Sequence, residues 1–203
     1  NLINRPVLRI DQAGIGSIYG MFFAVGLVAR GVKFSRSPVK QIGITGGIFT
    51  ALIMLRSLIG LISSMLLGRQ QSDWAPVYLS LTQADGSVRQ GTYLFALVSA
   101  LDRLLLNIRP YWGQEQAPLH VTLVDQPPRR LWRSLWPLLS GQSKYLKESE
   151  GYHSHNTNSL TLHFDDEFIV DGELYRSSSP QEPLRISATH PITFLVLKDT
   201  VNI

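Results

Sequence analysis

Asp171 and Glu173 have the clearest chemical potential in the chain. They flank a glycine in the run Phe168-Ile169-Val170-Asp171-Gly172-Glu173-Leu174. Side chains two apart on a strand share a face. Taken as a single strand, the run points both carboxylates one way, with open space at Gly172. It sends Phe168, Val170 and Leu174 to the other face, where a core would take them. Such a pair can accept a proton from a hydroxyl or hold a magnesium ion. The plainer alternative is a solvated strand end with ordinary acidic side chains, the common fate of strand carboxylates.

Two further groups carry chemistry. A helix is expected over Arg129 to Leu139, opened by Pro127-Pro128. Its apolar stripe is Trp132, Leu135, Trp136 and Leu139, with Arg129, Arg130 and Arg133 alongside. Tryptophans with arginines suit an interfacial, membrane-docking helix on an anionic surface. A helix packed on the fold with snorkelling arginines is the alternative. His153 and His155 form a His-x-His pair that shares a strand face, as some zinc sites require. No third ligand stands at a recognisable spacing, so a solvated strand face is expected and no metal. There is no Gly-x-Ser-x-Gly elbow and no nucleophile triad.

These residues must be positioned by strands. Val77, Leu79 and Leu81 alternate with polar residues, Asp85-Gly86 makes a turn, and Thr92 to Val98 returns, which predicts a hairpin. Val7 to Ile10 and Leu119 to Val124 read as strands. Ile18 to Val28 reads as one buried strand whose Gly20 and Gly26 signal close backbone approach or a bulge. Ser159 to Leu174 reads as a hairpin turning at Asp165-Asp166, and Leu184 to Ala188 and Ile192 to Leu197 as two more strands separated by His190-Pro191. Residues 99 to 117 form a long irregular segment. Ile44 to Leu67 is the most helical stretch, apolar at spacings of three and four. It is about long enough to cross a membrane, but Arg56 near its middle argues against that. The fold expected is mainly β, an antiparallel β-sandwich with helical insertions, forming one domain over residues 1–203.

The chain has 203 residues, 44% apolar and 17% charged, which excludes disorder. Nineteen basic side chains against fifteen acidic give +4, too mild for nucleic acid and compatible with an anionic membrane. With no cysteine, disulfides, thiolate metal sites and cysteine nucleophiles are excluded. Residues 1 to 20 carry no signal-peptide pattern and begin at Asn1, so a segment of a longer protein is expected.

The order of these segments resembles the second, C-terminal domain of the diacylglycerol kinase and sphingosine kinase family of lipid kinases. The resemblance rests on the glycine-dotted strand Gly20-Met21-Phe22-Phe23-Ala24-Val25-Gly26 and on the helical insertion and hairpins that follow. It rests also on Val170-Asp171-Gly172-Glu173 after a helix and strand, and on the closing pair Pro183 to Ile186 and Ile192 to Val196. It implies a lipid-binding and catalytic-base domain in which Glu173 activates the lipid hydroxyl and Asp171 stands beside it. It implies ATP and magnesium as cofactors of the full-length protein, and as partners a lipid and the missing N-terminal nucleotide-binding domain; the helix bearing Trp132 and Trp136 adds an anionic membrane surface as an expected partner. The default address is cytoplasmic, and the basic tryptophan helix adds the expectation of a peripheral place at the inner face of the membrane.

Two departures stand out. The family's Gly-Gly-Asp-Gly-Thr nucleotide motif does not occur, and neither Gly14-Ile15-Gly16 nor Gly43-Ile44-Thr45-Gly46-Gly47 replaces it. This chain alone is therefore expected to be inactive and to bind no cofactor. The Asp-Gly pair that holds a structural magnesium in many bacterial members is replaced by Gln114-Glu115-Gln116-Ala117, so no metal is expected there. The rival functions are a non-catalytic lipid-binding module of the same fold and a small integral membrane protein spanning at Ile44 to Leu67.

Overall fold

The computed structural model describes residues 2–12, 16–32, 76–104, 107–177 and 182–195. The helix expected over Ile44 to Leu67 lies outside these.

Thirteen strands are found among the described residues, all paired antiparallel. They are β1 (Leu2–Arg5), β2 (Leu8–Gln12), β3 (Gly16–Gly20), β4 (Phe22–Gly26), β5 (Val77–Gln83), β6 (Val88–Ser99), β7 (Leu119–Asp125), β8 (Tyr152–Thr157), β9 (Ser159–His163), β10 (Glu167–Val170), β11 (Glu173–Arg176), β12 (Leu184–Ala188) and β13 (Ile192–Leu195). β1 and β13 form a separate two-stranded ribbon; the rest join in one eleven-stranded sheet.

The long strand β6 makes that sheet a sandwich. Its C-terminal half lies between β4 and β7, and its N-terminal half pairs with β5. Gly26 pairs with Phe95 and Val77 with Tyr93, while Tyr93 also faces Asp125 on the opposite edge. β4 and β5 therefore follow one another along a single edge of β6. One layer runs β11-β10-β4-β6-β7-β8 and the other β6-β5-β9-β12-β2-β3. The main core draws on both, including Leu8, Ile10, Phe23, Leu79, Leu81, Val121, Leu162, Phe168 and Ile186. Phe168 packs its ring at 5.5 Å from Phe23 and edge-on at 6.0 Å from Phe164. The expected mainly β architecture holds, with the two layers as halves of one curled sheet.

Two outer faces are covered by helices. Residues 27–32 are helical, and Ala29 packs on Ala24 and Ile169. Helix α1 (Leu131–Ser140) lies over Leu97, Val124 and Tyr152 and buries Ser134, Pro137 and Leu138. α1 starts two residues later than the spacing predicts because Arg130 takes a left-handed conformation, φ 56°. It ends at Gly141, φ 66°, whose N–H reaches the Pro137 carbonyl.

Three local expectations are corrected. The apolar run from Ile18 is two strands broken at Met21, not one. The segment around Asp165-Asp166 is no hairpin turn: β9 pairs with β5 and β12, whereas β10 pairs with β4 and β11. The hairpin lies one strand later, closed by Asp171 and Gly172.

Candidate functional site

Val170 pairs directly with Glu173, leaving a two-residue turn with Asp171 at φ 48° and Gly172 at φ 86°. Both values lie in the left-handed region, as an Asp-Gly hairpin turn of the type that matches strand twist requires. The turn changes the parity of everything after it. Asp171 is a turn residue and Glu173 opens the next strand, so the two carboxylates do not share a face of one strand as the sequence suggests. Leu174 crosses to the side of Ile169, while Glu173 and Tyr175 follow Val170 and Phe168. The Tyr175 ring stacks on Phe168 at 5.6 Å.

Asp171 is fully engaged. Its Oδ1 accepts from the Met21 N–H at 3.0 Å and the Phe22 N–H at 2.9 Å, and its Oδ2 from Met21 at 3.0 Å. Its own N–H donates to the Phe22 carbonyl at 2.9 Å. Gly20 permits this approach, since a Cβ there would meet Val170 Cγ1 and stand 2.9 Å from Asp171 Oδ2. Gly26 is equally constrained, at φ 77° with the Leu94 carbonyl 2.6 Å from where a Cβ would sit. Both glycines do what the sequence signalled. The Met21 carbonyl in turn accepts from the Ala100 N–H and the Ser99 hydroxyl, each at 3.0 Å. Three connections are thus stitched together at one end of the sandwich: β3 to β4, β10 to β11, and the exit of β6.

Glu173 is exposed at this end. Its Oε2 accepts from the Tyr175 hydroxyl at 2.9 Å. That hydrogen bond, with partial burial and the charges of Glu173 and Asp171, raises the Tyr175 pKa above its ordinary value. Among the described residues Glu173 makes no ion pair, so it presents a carboxylate that can take a proton. No group of three or more His, Asp or Glu residues stands close enough to hold a metal among the described residues.

The same end carries residues that sequence reasoning passed over. Tyr111 stacks on His120 with ring centroids 4.8 Å apart. Among the described residues the buried Tyr111 hydroxyl has no partner in hydrogen-bond geometry, and burial pushes its pKa up to about 12, with nearby Ser99 opposing the shift. His120 Nδ1 is 2.8 Å from Asn156 Oδ1, and Nε2 stands 3.7 Å from exposed Asp102. Nothing in the sequence marked Tyr111, because it lies in an irregular segment where no periodicity assigns a face.

The remaining candidates fall elsewhere. His153 is buried rather than solvated. Its Nδ1 is 2.6 Å from Arg89 Nη1 and its Nε2 3.1 Å from Asp125 Oδ2. Arginine only donates, so Nδ1 accepts and Nε2–H donates to Asp125. His155 Nε2 is buried without a partner among the described residues, and burial lowers its pKa. Glu115 Oε2 accepts from the Asn156 N–H at 2.8 Å; burial opposes its ionisation, and the N–H donors outweigh it to leave the pKa lowered. Trp132 and Trp136 are 52% and 73% exposed, and Arg129, Arg130 and Arg133 are exposed beside them. No helix among the described residues is long and apolar enough to cross a membrane.

No family model matches the chain, and no curated protein matches it. Solved structures do. A protein from Bacillus anthracis strain Sterne, provisionally named a diacylglycerol kinase, aligns over 94% of this chain and 55% of its own, at 15% identity and a TM-score of 0.51. Two more from the same organism, one likewise provisionally named and one named a diacylglycerol kinase, align over 94% of this chain at 14% and 9% identity. They cover 55% and 52% of those proteins with TM-scores of 0.49 and 0.47. The chain thus spans about half the length of the proteins it resembles, and it has the fold of part of a protein provisionally named a lipid kinase.

Proposed function

We propose that this chain is the lipid-side half of an ATP-dependent lipid kinase, with Glu173 as the general base. In this reading the hydroxyl of a diacylglycerol or sphingoid-type lipid attacks the γ-phosphorus of ATP. The new oxygen–phosphorus bond forms as the β–γ bridging bond breaks, ADP departs, and the hydroxyl proton passes to Glu173. An N-terminal nucleotide-binding domain would hold ATP and magnesium, and the metal would neutralise charge on the transferring phosphoryl group. Asp171 acts as a positioning residue, holding Met21 and Phe22 and so fixing the turn that carries Glu173.

The observation that carries this reading is the setting of Glu173: an exposed carboxylate with one hydrogen bond, on a turn made rigid by Asp171. The fold likeness supplies context, since fold alone does not set function. One observation favours a non-catalytic lipid-binding module instead. Both Asp171 oxygens are committed to main-chain N–H groups, which leaves Glu173 as the single available carboxylate of the pair. The test is transfer of labelled γ-phosphate from ATP to diacylglycerol or a sphingoid base by the natural full-length protein. Label in the lipid fraction supports the kinase; lipid binding with no label supports the module.

A further inference from the structure

A helix on a protein surface normally turns its large apolar side chains inward. α1 does so only in part, with Leu138 inward and both tryptophans outward. It buries Ser134, Pro137 and Leu138 and leaves Trp132 and Trp136 at 52% and 73% exposure. Tyr145, in the short 3-10 turn that follows, is 54% exposed, with Lys144 Nζ 5.8 Å from its ring centroid. An aromatic side chain withholds about 150–250 Å² from water when covered. Leaving three such rings uncovered within residues 132–145 forgoes burial that the fold has not otherwise used.

The charge around these rings selects what covers them. Residues 129–147 carry five basic side chains and no acidic one. Arg129, Arg133, Lys144 and Lys147 are exposed, and among the described residues only Arg130 of the five is engaged by a carboxylate, Glu150 at 3.4 Å. A second copy of the chain would bring like charges face to face, which disfavours pairing. Tryptophan and tyrosine rings with arginine and lysine beside them match the headgroup region of a bilayer, where amphipathic rings sit and cations meet anionic lipids. A ten-residue helix is too short to span and lies in the plane of the interface.

We infer that the outer face of α1 and the turn after it, with exposed Trp132, Trp136 and Tyr145 and the exposed basic side chains of the same segment, docks the protein on an anionic phospholipid bilayer. This docking is independent of phosphoryl transfer and holds equally for a kinase and for a lipid-binding module.

The test is sedimentation of the 203-residue chain with vesicles of phosphatidylcholine alone and of phosphatidylglycerol and phosphatidylcholine in equal parts. Binding is expected on the anionic vesicles only, and it falls as salt rises. Arg129→Glu with Arg133→Glu weakens it by at least about 25-fold, at about fivefold for each charge removed. Trp132→Ala with Trp136→Ala removes the binding that survives high salt, together with the blue shift of tryptophan emission. All four positions are exposed, so circular dichroism should show an unchanged fold. Equal binding to neutral vesicles, no binding to anionic ones, or undiminished binding by the folded variants overturns the inference. So does a concentration-dependent dimer that Trp136→Ala abolishes, which would assign the face to a second copy.

Discussion

Asp171 and Arg130 are both non-glycine residues held in the left-handed conformation, at φ 48° and 56°. Such a conformation costs on the order of 1–3 kcal/mol, and the two regions meet that cost differently. At Asp171 the carboxylate receives two main-chain N–H groups, Gly20 gives way to it, and Val170 and Phe168 beneath are buried. At Arg130, the residue that opens α1, no side chain caps the helix, and Trp132 two residues on faces water. At the turn the Asp171 carboxylate is met by main-chain N–H groups, and the apolar side chains of Val170 and Phe168 are covered. The helix presents the opposite balance, as expected where a surface is shaped for contact rather than stability.

Stability measurements sharpen or break this contrast. Phe168→Ala, beneath the turn, removes a fully buried ring packed on Phe23, Phe164 and Tyr175. It is expected to cost about 3–5 kcal/mol in urea unfolding. Asp171→Ala leaves the Met21 and Phe22 N–H groups unpaired and puts alanine at positive φ, an expected loss of about 1–3 kcal/mol. Asp171→Asn keeps one acceptor and tolerates that conformation, so it should lose less; equal losses would show that the hydrogen bonds at the turn do not matter.

Alkaline titration probes the same end. The Tyr111 hydroxyl keeps its proton up to about 12 in the folded chain, against 10.0 for an unburied tyrosine. Between those values the unfolded chain binds fewer protons, so stability should fall as pH rises from about 10 to about 12. Tyr111→Phe should flatten that slope. The smallest effect belongs to α1: Trp136→Ala should change stability by no more than about 0.5 kcal/mol, the range of surface substitutions. A loss near that of Phe168→Ala would mean that the ring is buried and would erase the contrast.

Much of the fold was legible where neighbours in sequence are neighbours in space. The β5–β6 hairpin follows from the alternation of Val77, Leu79 and Leu81 and the Asp85-Gly86 turn. Gly20 and Gly26 announced tight backbone contacts and make them. The sequence misled where pairing is long-range. Asp165-Asp166 looks like a hairpin turn, but β9 and β10 belong to opposite layers, and their partners lie far away along the chain. The Asp171-Gly172 turn was readable from its Asp-Gly pair, yet the apolar pattern from Phe168 to Leu174 continues across it and suggests one strand. Glu173 was found through its residue type beside a glycine, while its partner Tyr175 depends on the parity shift that the turn introduces. Tyr111 and His120 meet only because an irregular segment folds back onto β7 and β8, which no local pattern encodes. On α1 the aromatic stripe was visible, but which way it faced was set by the packing of Ser134, Pro137 and Leu138.

The central claim is that Glu173 takes the proton from a lipid hydroxyl. The most direct measurement is the rate of lipid phosphorylation by the natural full-length protein with Glu173→Gln. A missing general base should lower that rate by about 10²–10⁴. Because Glu173 is exposed and makes one side-chain hydrogen bond, the unfolding midpoint and nucleotide affinity should stay at wild-type values. A Glu173→Gln protein that phosphorylates lipid at the wild-type rate would contradict the account.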